Sequence, residues 1–430
     1  MTTPDPDRWG WRDAPARSGA EWPRLADFAA RARTEGLDQT LVCGMGGSSL
    51  APWVLAESFG SKQLRVLDST DPGAVRAAER WADPSRTLFL IASKSGTTVE
   101  SLAALHHFFR LAPPGHFAAI TDPGTPLERR AREEQWRGVF AHPADVGGRY
   151  AALTVVGMLP LALIGGPGAE LLERARAVDL EQARALGAGI GDGNGLLPLE
   201  FPPPIQSLGM WVEQLVAEST GKGGRGVVPI VATGPAPGAR TADPVDLGRE
   251  FLSWEYATVE ICRRIDVNPF DQPDVEAAKV LARAELARPA GAPADGPRTL
   301  TPAGLAAAAK PGDYVAILVY LPQTREHDSR LTALGRRWGD ATGCPVTTAY
   351  GPRYLHSTGQ LHKGGPNTGL FLVVTADPDG DITIPELNTT FAKLERAQAI
   401  GDIKALLAKG RRVAHVHLRD PEDWSQLAPR

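Results

Sequence analysis

Two short polar turns, each lying after an apolar run and before a helix-like segment, are the first candidates for chemistry. In one, residues 41–43 (LVC) lead into the glycine turn 44–49 (GMGGSS). In the other, residues 91–102 read IASKSGTTVESL. Unpaired backbone amides at the start of a helix bind anions. Both turns therefore predict an anion site, and the next question is which anion they bind.

The second turn favours a phosphate monoester, because hydroxyl groups can surround its oxygens. Four residues supply them: Ser93, Ser95, Thr97 and Thr98. Lys94 adds a positive charge to the same turn. Loops after neighbouring strands of a doubly wound sheet meet at one edge, so we expect both turns to share one ligand. A helix cap is the simpler alternative, since Thr97 and Glu100 have the spacing of a capping box.

A dinucleotide is the main alternative ligand for the glycine turn. A strand-like run feeds the turn, and Asp68 lies near the spacing expected of a ribose-binding acid. The fingerprint G-x-G-x-x-G nevertheless fails at its last glycine, where the chain has Ser49, and no P-loop lysine follows. A plain βα turn without a ligand is also open. With the second turn beside it, we expect Gly46, Gly47 and Ser48 to face the ligand of a monophosphate site, and Asp68 to be a strand-end residue.

The elements that position these turns follow an α/β pattern. Short β-rich runs alternate with amphipathic segments over residues 40–143 and again over residues 313–418, which is typical of βαβ units and parallel sheets. Residues 169–186 are predicted to be one helical segment, residues 189–205 a Gly/Pro-rich connection, and residues 284–312 a linker or surface excursion. The pattern predicts two α/β layers with helices between and beside them.

Composition and charge limit the classes of protein to which the chain could belong. The chain has 430 residues, of which 43% are hydrophobic, enough for two or three domains. A net charge of −4 gives no basic surface for nucleic acid or an anionic membrane. The three cysteines are scattered singly, which fits neither a disulfide framework nor a zinc site. No leader peptide or membrane span is evident, and we expect a soluble cytoplasmic protein.

Five motifs, in this order, resemble those of the glucose-6-phosphate isomerase family. They are G-x-G-G-S at 44–48, S-K-S-G-T-T at 93–98, G-G-R-Y at 147–150, E-S-T-G-K at 218–222 and N-P-F-D-Q-P-D-V-E-A-A-K at 268–279. The C-terminal third resembles the isomerase half of bacterial transaldolase–isomerase fusions, although no barrel-like transaldolase half is present. The resemblance implies an α/β fold with two doubly wound, parallel-sheet sugar isomerase subdomains and additional helices. We place an N-terminal helical extension at 1–37, the first subdomain at 38–188, and the second, with a C-terminal α/β extension, at 189–430.

The resemblance implies an aldose–ketose isomerase, an intramolecular oxidoreductase of glycolysis and gluconeogenesis. It would interconvert glucose 6-phosphate and fructose 6-phosphate through a cis-enediolate, which needs a proton-shuttling base and a cation to stabilise the intermediate. By resemblance, Glu218 is the base, Arg149 the stabilising cation, Lys279 assists ring opening, and Gln272 binds the phosphate or a hydroxyl. No metal and no cofactor are expected, and a homodimer is implied.

The family also uses a histidine, supplied across the dimer interface, to open the sugar ring. Residues 223–245, where larger relatives carry an extra α/β stretch, are short and contain no histidine. His356 and His362 are the candidates, and we prefer His356 because it follows the strand-like run TTAYGPRYL; an ordinary loop histidine is the alternative. The shortened stretch leaves two further functions open: an isomerase of a related sugar phosphate, or a sugar-phosphate-binding regulatory protein without turnover. A nicotinamide-dependent enzyme is a more distant alternative.

Overall fold

A computed structural model describes residues 8–193, 195–238, 243–288 and 297–429 of the chain. The predicted surface excursion 284–312 therefore lies partly outside the described residues. The α-helices are α1 (Ala14–Thr34), α2 (Gly47–Ser58), α3 (Pro72–Trp81), α4 (Val99–Phe108), α5 (Pro126–Glu133), α6 (Val155–Leu163), α7 (Gly168–Arg176), α8 (Leu180–Gly191), α9 (Leu208–Thr220), α10 (Leu247–Arg264), α11 (Val275–Leu286), α12 (Pro302–Ala307), α13 (Arg325–Thr342), α14 (Gly359–Gly364) and α15 (Phe391–Ala408).

The strands form two larger parallel sheets and two short pairs. They are β1 (Gln39–Gly44), β2 (Leu64–Leu67), β3 (Thr87–Ala92), β4 (Phe117–Thr121), β5 (Gly138–Ala141), β6 (Leu196–Glu200), β7 (Val228–Pro235), β8 (Tyr314–Tyr320), β9 (Val346–Tyr350), β10 (Gly369–Ala376), β11 (Thr383–Ile384), β12 (Thr389–Thr390) and β13 (Arg412–Leu418). The first sheet has the order β2-β1-β3-β4-β5 and the second β13-β10-β8-β9.

Both faces of the first sheet are covered by helices. Val42 and Leu90 belong to the core that α1, α2 and α6 share, whereas Leu41 and Phe89 belong to the core that α3, α4 and α5 share. Successive side chains of a strand point to opposite faces, so a sheet buried on both sides has continuous apolar strands. This is why the runs LVCG at 41–44 and TLFLIA at 87–92, both within the predicted α/β stretch 40–143, are almost entirely apolar.

The second sheet is built in the same way. Ala316 and Leu318 of β8 pack with residues of α9, α14 and α15, while Val315 and Ile317 pack with residues of α12 and α13. The prediction of an α/β fold with two doubly wound parallel sheets is therefore confirmed. The domain boundaries at 37/38 and 188/189 stay predictions.

Helix α9 connects the two α/β parts. It contacts α2 from the first part, and β7 and α14 from the second. Its C-terminal turn carries the E-S-T motif residues Glu218 to Thr220. A helix packed on both parts can present a side chain rigidly between them.

Two local predictions were wrong. The connection 189–205 contains strand β6, which pairs in parallel with β7, because Leu197 and Leu199 alternate with exposed neighbours and face the core. The single helical segment 169–186 is two helices, α7 and α8. The chain breaks between them because the side chain of Asp179 caps the start of α8 by accepting a hydrogen bond from Gln182 N. Within the described ranges, no helix is long and apolar enough to cross a bilayer.

Candidate active site

The glycine turn closes tightly between β1 and α2. Gly46 has a φ of +57°, a conformation that favours glycine. Its carbonyl accepts hydrogen bonds from Ser49 N at 2.9 Å, Leu50 N at 2.8 Å and Ser49 Oγ at 2.9 Å. Ser49 is therefore turned inward and fully buried, while Ser48 is half-buried. Of the two serines, Ser48 is the one the turn leaves partly open.

This turn lies against three other motif-bearing segments, and its glycines make the approach possible. A Cβ at Gly47 would lie 1.9 Å from the carbonyl oxygen of Gly148. A Cβ at Gly46 would lie 2.7 Å from the His356 carbonyl oxygen and 2.8 Å from Gln214 Nε2. The structure thus brings the glycine turn, the G-G-R-Y segment, helix α9 and the segment of His356 together at one place.

Arg149, on the short 3-10 helix Gly148–Tyr150, is buried and held on several sides. Its Nε and Nη2 groups donate to Ser219 Oγ at 2.8 Å, Pro269 O at 2.7 Å and Asp271 O at 3.2 Å. Its Nη1 donates to Gln272 Oε1 at 3.1 Å and lies 3.2 Å from Glu218 Oε1. A planar guanidinium with this many acceptors has one orientation, and that orientation faces Glu218.

Glu218 lies in the last turn of α9 with a side chain that is 16% exposed. Its Oε2 accepts a hydrogen bond from Gln214 Nε2 at 3.2 Å, and the same amide donates to the His356 carbonyl at 2.9 Å. Sequence reasoning missed Gln214. The signal that could have found it is its position four residues before Glu218 on one helix, which places both side chains on the same face.

The hydroxyl-rich turn precedes α4. Ser93 Oγ donates to Thr98 Oγ1 at 2.9 Å, and Ser95 Oγ lies 2.9 Å from Thr97 Oγ1. Ser95 and Thr97 are exposed. The capping-box alternative was wrong, since α4 begins after Thr98 without a side-chain cap. The carboxylate that would complete the box, Glu100, turns to other partners.

Lys94 contacts side chains that directly follow strands β4 and β5 of the first sheet. Its Nζ lies 3.1 Å from Asp122 Oδ2 and 3.4 Å from His142 Nδ1. Burial lowers the pKa of Lys94, and the hydrogen bond with Asp122 opposes that shift. The predicted role of Lys94 in substrate binding stays a prediction.

A cavity of about 280 Å³ opens beside the hydroxyl-rich turn. Its lining includes Ser95, Thr97, Thr98, Lys279, His356 and Glu100. Lys279 lies a little over one turn into α11, which begins at Val275. Its ammonium is exposed and lies 2.6 Å from Glu276 Oε1. The structure therefore brings Lys279, His356 and the hydroxyl turn to one cavity.

Glu100 is a second residue that sequence reasoning missed. It is buried, and its Oε1 lies 2.9 Å from His356 Nε2 and 2.7 Å from Gln398 Nε2. Burial opposes the charged form of Glu100, but the neighbouring His356 outweighs it, so the net pKa is lowered. Glu100 is thus an ionised acceptor for a ring N–H of His356. Both residues belong to the same chain, so this contact needs no second subunit.

His362, the other histidine candidate, lies in the core. It is buried beside Tyr314, Tyr354 and Phe371, and burial lowers its pKa well below the usual value. Asp68, considered above as a ribose ligand, binds Arg353 through both carboxylate oxygens, at 2.8 and 2.7 Å. In the described part of the chain, no three His, Cys, Asp or Glu side chains are placed to hold a metal ion.

A part of the chain that carries some of these motifs is similar to a known protein family. Residues 29–185, which include both polar turns and Arg149, match the family model of phosphoglucose isomerase. This segment resembles phosphoglucose isomerases in sequence. The matched segment also contains Glu100, whereas Glu218, Lys279 and His356 lie beyond it in sequence.

The curated proteins to which the chain is similar include glucose-6-phosphate isomerases. The protein of Citrifermentans bemidjiense is 35% identical over 213 residues, which cover 43% of this chain and 40% of the relative. That of Thermus thermophilus is 33% identical over 180 residues, covering 40% of each chain. The chain thus spans about 40% of the length of these relatives. A crystal structure of a glucose-6-phosphate isomerase from Chlamydia trachomatis shares the fold, with a TM-score of 0.52, 20% identity, and coverage of 62% of this chain and 72% of that chain.

Proposed function

We propose that the chain is an aldose–ketose isomerase that interconverts glucose 6-phosphate and fructose 6-phosphate. The observation that carries the proposal is the contact between Arg149 Nη1 and Glu218 Oε1, at 3.2 Å, beside the glycine turn. A carboxylate and a fixed cation at one place are what a proton transfer through an enediolate needs. The similarity of residues 29–185 to phosphoglucose isomerases supports the same reaction.

Glu218 performs the proton transfer in this proposal. Its carboxylate removes the proton from C2 of the open-chain aldose and returns it to C1, while the hydroxyl proton moves from O2 to O1, which yields the ketose. Arg149 stabilises the negative charge that develops on the enediolate oxygens. Because Ser219, Pro269 and Asp271 already orient the guanidinium, little reorganisation is needed when this charge appears.

His356 opens the sugar ring. The Glu100 carboxylate accepts a hydrogen bond from Nε2–H of the imidazole, which leaves Nδ1 to exchange a proton with the sugar. Lys279 lines the same cavity and supplies a second cation near the ring oxygen.

The two polar turns bind the substrate. Ser93, Ser95, Thr97 and Thr98 receive the phosphate, with Lys94 adding positive charge, while Gly46, Gly47 and Ser48 form the wall on the sugar side. Gln272 Oε1 is used by Arg149, so its amide nitrogen is left for a sugar hydroxyl or the phosphate. Gln214 Oε1 is buried and meets no hydrogen-bond donor among the described residues. A sugar hydroxyl is a suitable donor for that oxygen.

Three further properties belong to the proposal through the family resemblance. We place the protein in the cytoplasm, in the glycolytic and gluconeogenic interconversion of hexose phosphates, and expect a homodimer. The family supplies the ring-opening histidine across its dimer interface, whereas His356 contacts Glu100 within one chain. Sedimentation of the purified protein tests the homodimer.

A coupled assay tests the proposed reaction. Purified protein is given fructose 6-phosphate, and the glucose 6-phosphate formed is oxidised by an NADP-dependent dehydrogenase. Turnover that depends on the protein concentration supports the proposal. Calorimetric binding of fructose 6-phosphate without turnover supports the regulatory alternative. Turnover of another hexose phosphate only, in a direct product assay, supports an isomerase of a related sugar.

A further inference from the structure

Gln398 is a buried amide that joins the two α/β parts of the molecule. It lies on α15, which packs against the second sheet, but its side chain reaches residues of the first part. Its Nε2 donates to Glu100 Oε1 at 2.7 Å, and its Oε1 accepts from Thr70 Oγ1 at 2.7 Å. Glu100, Thr70 and Gln398 are only 7%, 0% and 5% exposed. Buried polar groups with such close partners have little freedom to rearrange.

The chemistry of the three partners determines the orientation of this amide. An ionised carboxylate accepts hydrogen bonds only, so Gln398 must present its amino group to Glu100. Its carbonyl oxygen then faces Thr70, whose hydroxyl must donate. Glu100 Oε1 thus receives one N–H from Gln398 and one from His356 Nε2, at 2.7 and 2.9 Å. Two donors on one oxygen restrict the rotation of the carboxylate.

We infer that Gln398, oriented by Thr70, is a positioning residue that fixes the Glu100 carboxylate and, through it, the ring orientation and Nε2–H tautomer of His356. Gln398 lines the cavity but acts through Glu100. Its effect on turnover rests on the proposed function, in which His356 opens the sugar ring. Its effect on the orientation and tautomer of the His356 ring is independent of the proposed function.

The first test measures the His356 ring directly. Long-range ¹H–¹⁵N correlation spectra report the tautomer of each imidazole, and the His356 signals are assigned by their loss in His356→Gln. Gln398→Met keeps the side-chain volume but removes the amide, and Thr70→Val removes the hydroxyl. Both should move the His356 ring nitrogens away from the Nε2–H pattern. Thr70→Ser, which keeps the hydroxyl, and Gln426→Met, a change of an exposed glutamine, should give the wild-type pattern.

The second test measures turnover of glucose 6-phosphate. Gln398→Met and Thr70→Val should lower kcat by about tenfold and change KM by less than about twofold, because they misplace a group rather than remove a substrate contact. Thr70→Ser should restore kcat. If Gln398→Met does not fold, the Thr70→Val and Thr70→Ser pair decides. Unchanged His356 ring signals in the folded Gln398→Met or Thr70→Val protein overturn the inference. The wild type could lack isomerase activity while the His356 ring signals still change in Gln398→Met and Thr70→Val. That result would support the positioning role of Gln398 and refute the proposed function.

Discussion

Arg149 Nη1 lies 3.2 Å from Glu218 Oε1, although the two residues belong to different motifs, the 3-10 helix after β5 and the last turn of α9. The remaining nitrogens of the guanidinium are engaged by Ser219, Pro269 and Asp271. This ion pair places an always-charged cation beside the proposed base. It is therefore the contact on which the catalytic proposal depends.

Arg149→Lys should reduce kcat by about 100-fold, since a lysine keeps the charge but loses the fork that several acceptors orient. The coupled assay measures this loss, and circular dichroism shows whether the variant is folded. Arg86→Lys, at an exposed ion pair with Asp38, is the matched control and should keep the wild-type rate. An Arg149→Lys enzyme with wild-type kcat would exclude the stabilising role.

His356→Gln should slow a cyclic substrate more than an acyclic one, because ring opening is needed only for the former. Glucose 6-phosphate is the cyclic substrate. Erythrose 4-phosphate serves as the acyclic one, since its phosphorylated O4 cannot close a ring. Initial rates with both sugars give the ratio, and His116→Gln, a histidine before β4, is the control. Equal slowing of both substrates removes His356 from ring opening.

Gly47→Ala should weaken both folding and substrate binding. The new Cβ would lie 1.9 Å from the carbonyl oxygen of Gly148, so the glycine turn and the G-G-R-Y segment must separate. We expect the free energy of unfolding to fall by about 2 kcal/mol and KM to rise. Urea unfolding and the coupled assay measure the two effects. Gly115→Ala, where a Cβ meets nothing within 4 Å, should leave both unchanged.

Glu213 should make stability depend on pH. Burial raises its pKa to about 7 from an ordinary 4.5, although Thr347 Oγ1 donates to it at 3.3 Å. The folded protein therefore holds this proton more tightly than the unfolded chain. Stability from this group is full below pH 4.5 and is lost as the pH rises to about 7.

The Glu213→Gln variant tests that dependence because glutamine does not titrate. Between about pH 5 and about pH 8, the wild type should lose up to about 3 kcal/mol of unfolding free energy relative to the variant. Urea unfolding at both pH values measures the difference. Parallel pH dependence of the two proteins would show that the Glu213 carboxyl is not held protonated by its burial.

The fold could be predicted from the sequence where the local hydrophobic pattern agrees with the burial of the strands. The strands β1, β3, β8 and β10 contain continuous apolar runs because both faces of each sheet are covered. Strand β6 was missed because glycines and prolines surround it, and only its pairing with β7 makes it a strand. The break before α8 depends on a single cap at Asp179.

Residues of the candidate site could be predicted from the sequence only where they lie in a short motif. Arg149, Glu218 and the two turns could be named from short patterns, but Glu100 matters through a contact with His356, which lies 256 residues away. Such a contact has no local signature. Lys94 could be named from its motif, but its position in the turn does not reveal that its ammonium pairs with Asp122.

The most direct test of the central claim is the rate of isomerisation by Glu218→Gln in the coupled assay. Glutamine keeps the size and one acceptor oxygen of the side chain but cannot take a proton from C2. Glu213→Gln, on the same helix and outside the site, is the matched control and should keep kcat close to that of the wild type. The account predicts that Glu218→Gln lowers kcat by about a thousandfold. A folded Glu218→Gln protein with a kcat within about tenfold of the wild type would contradict the account, because the proton transfer would then need another base.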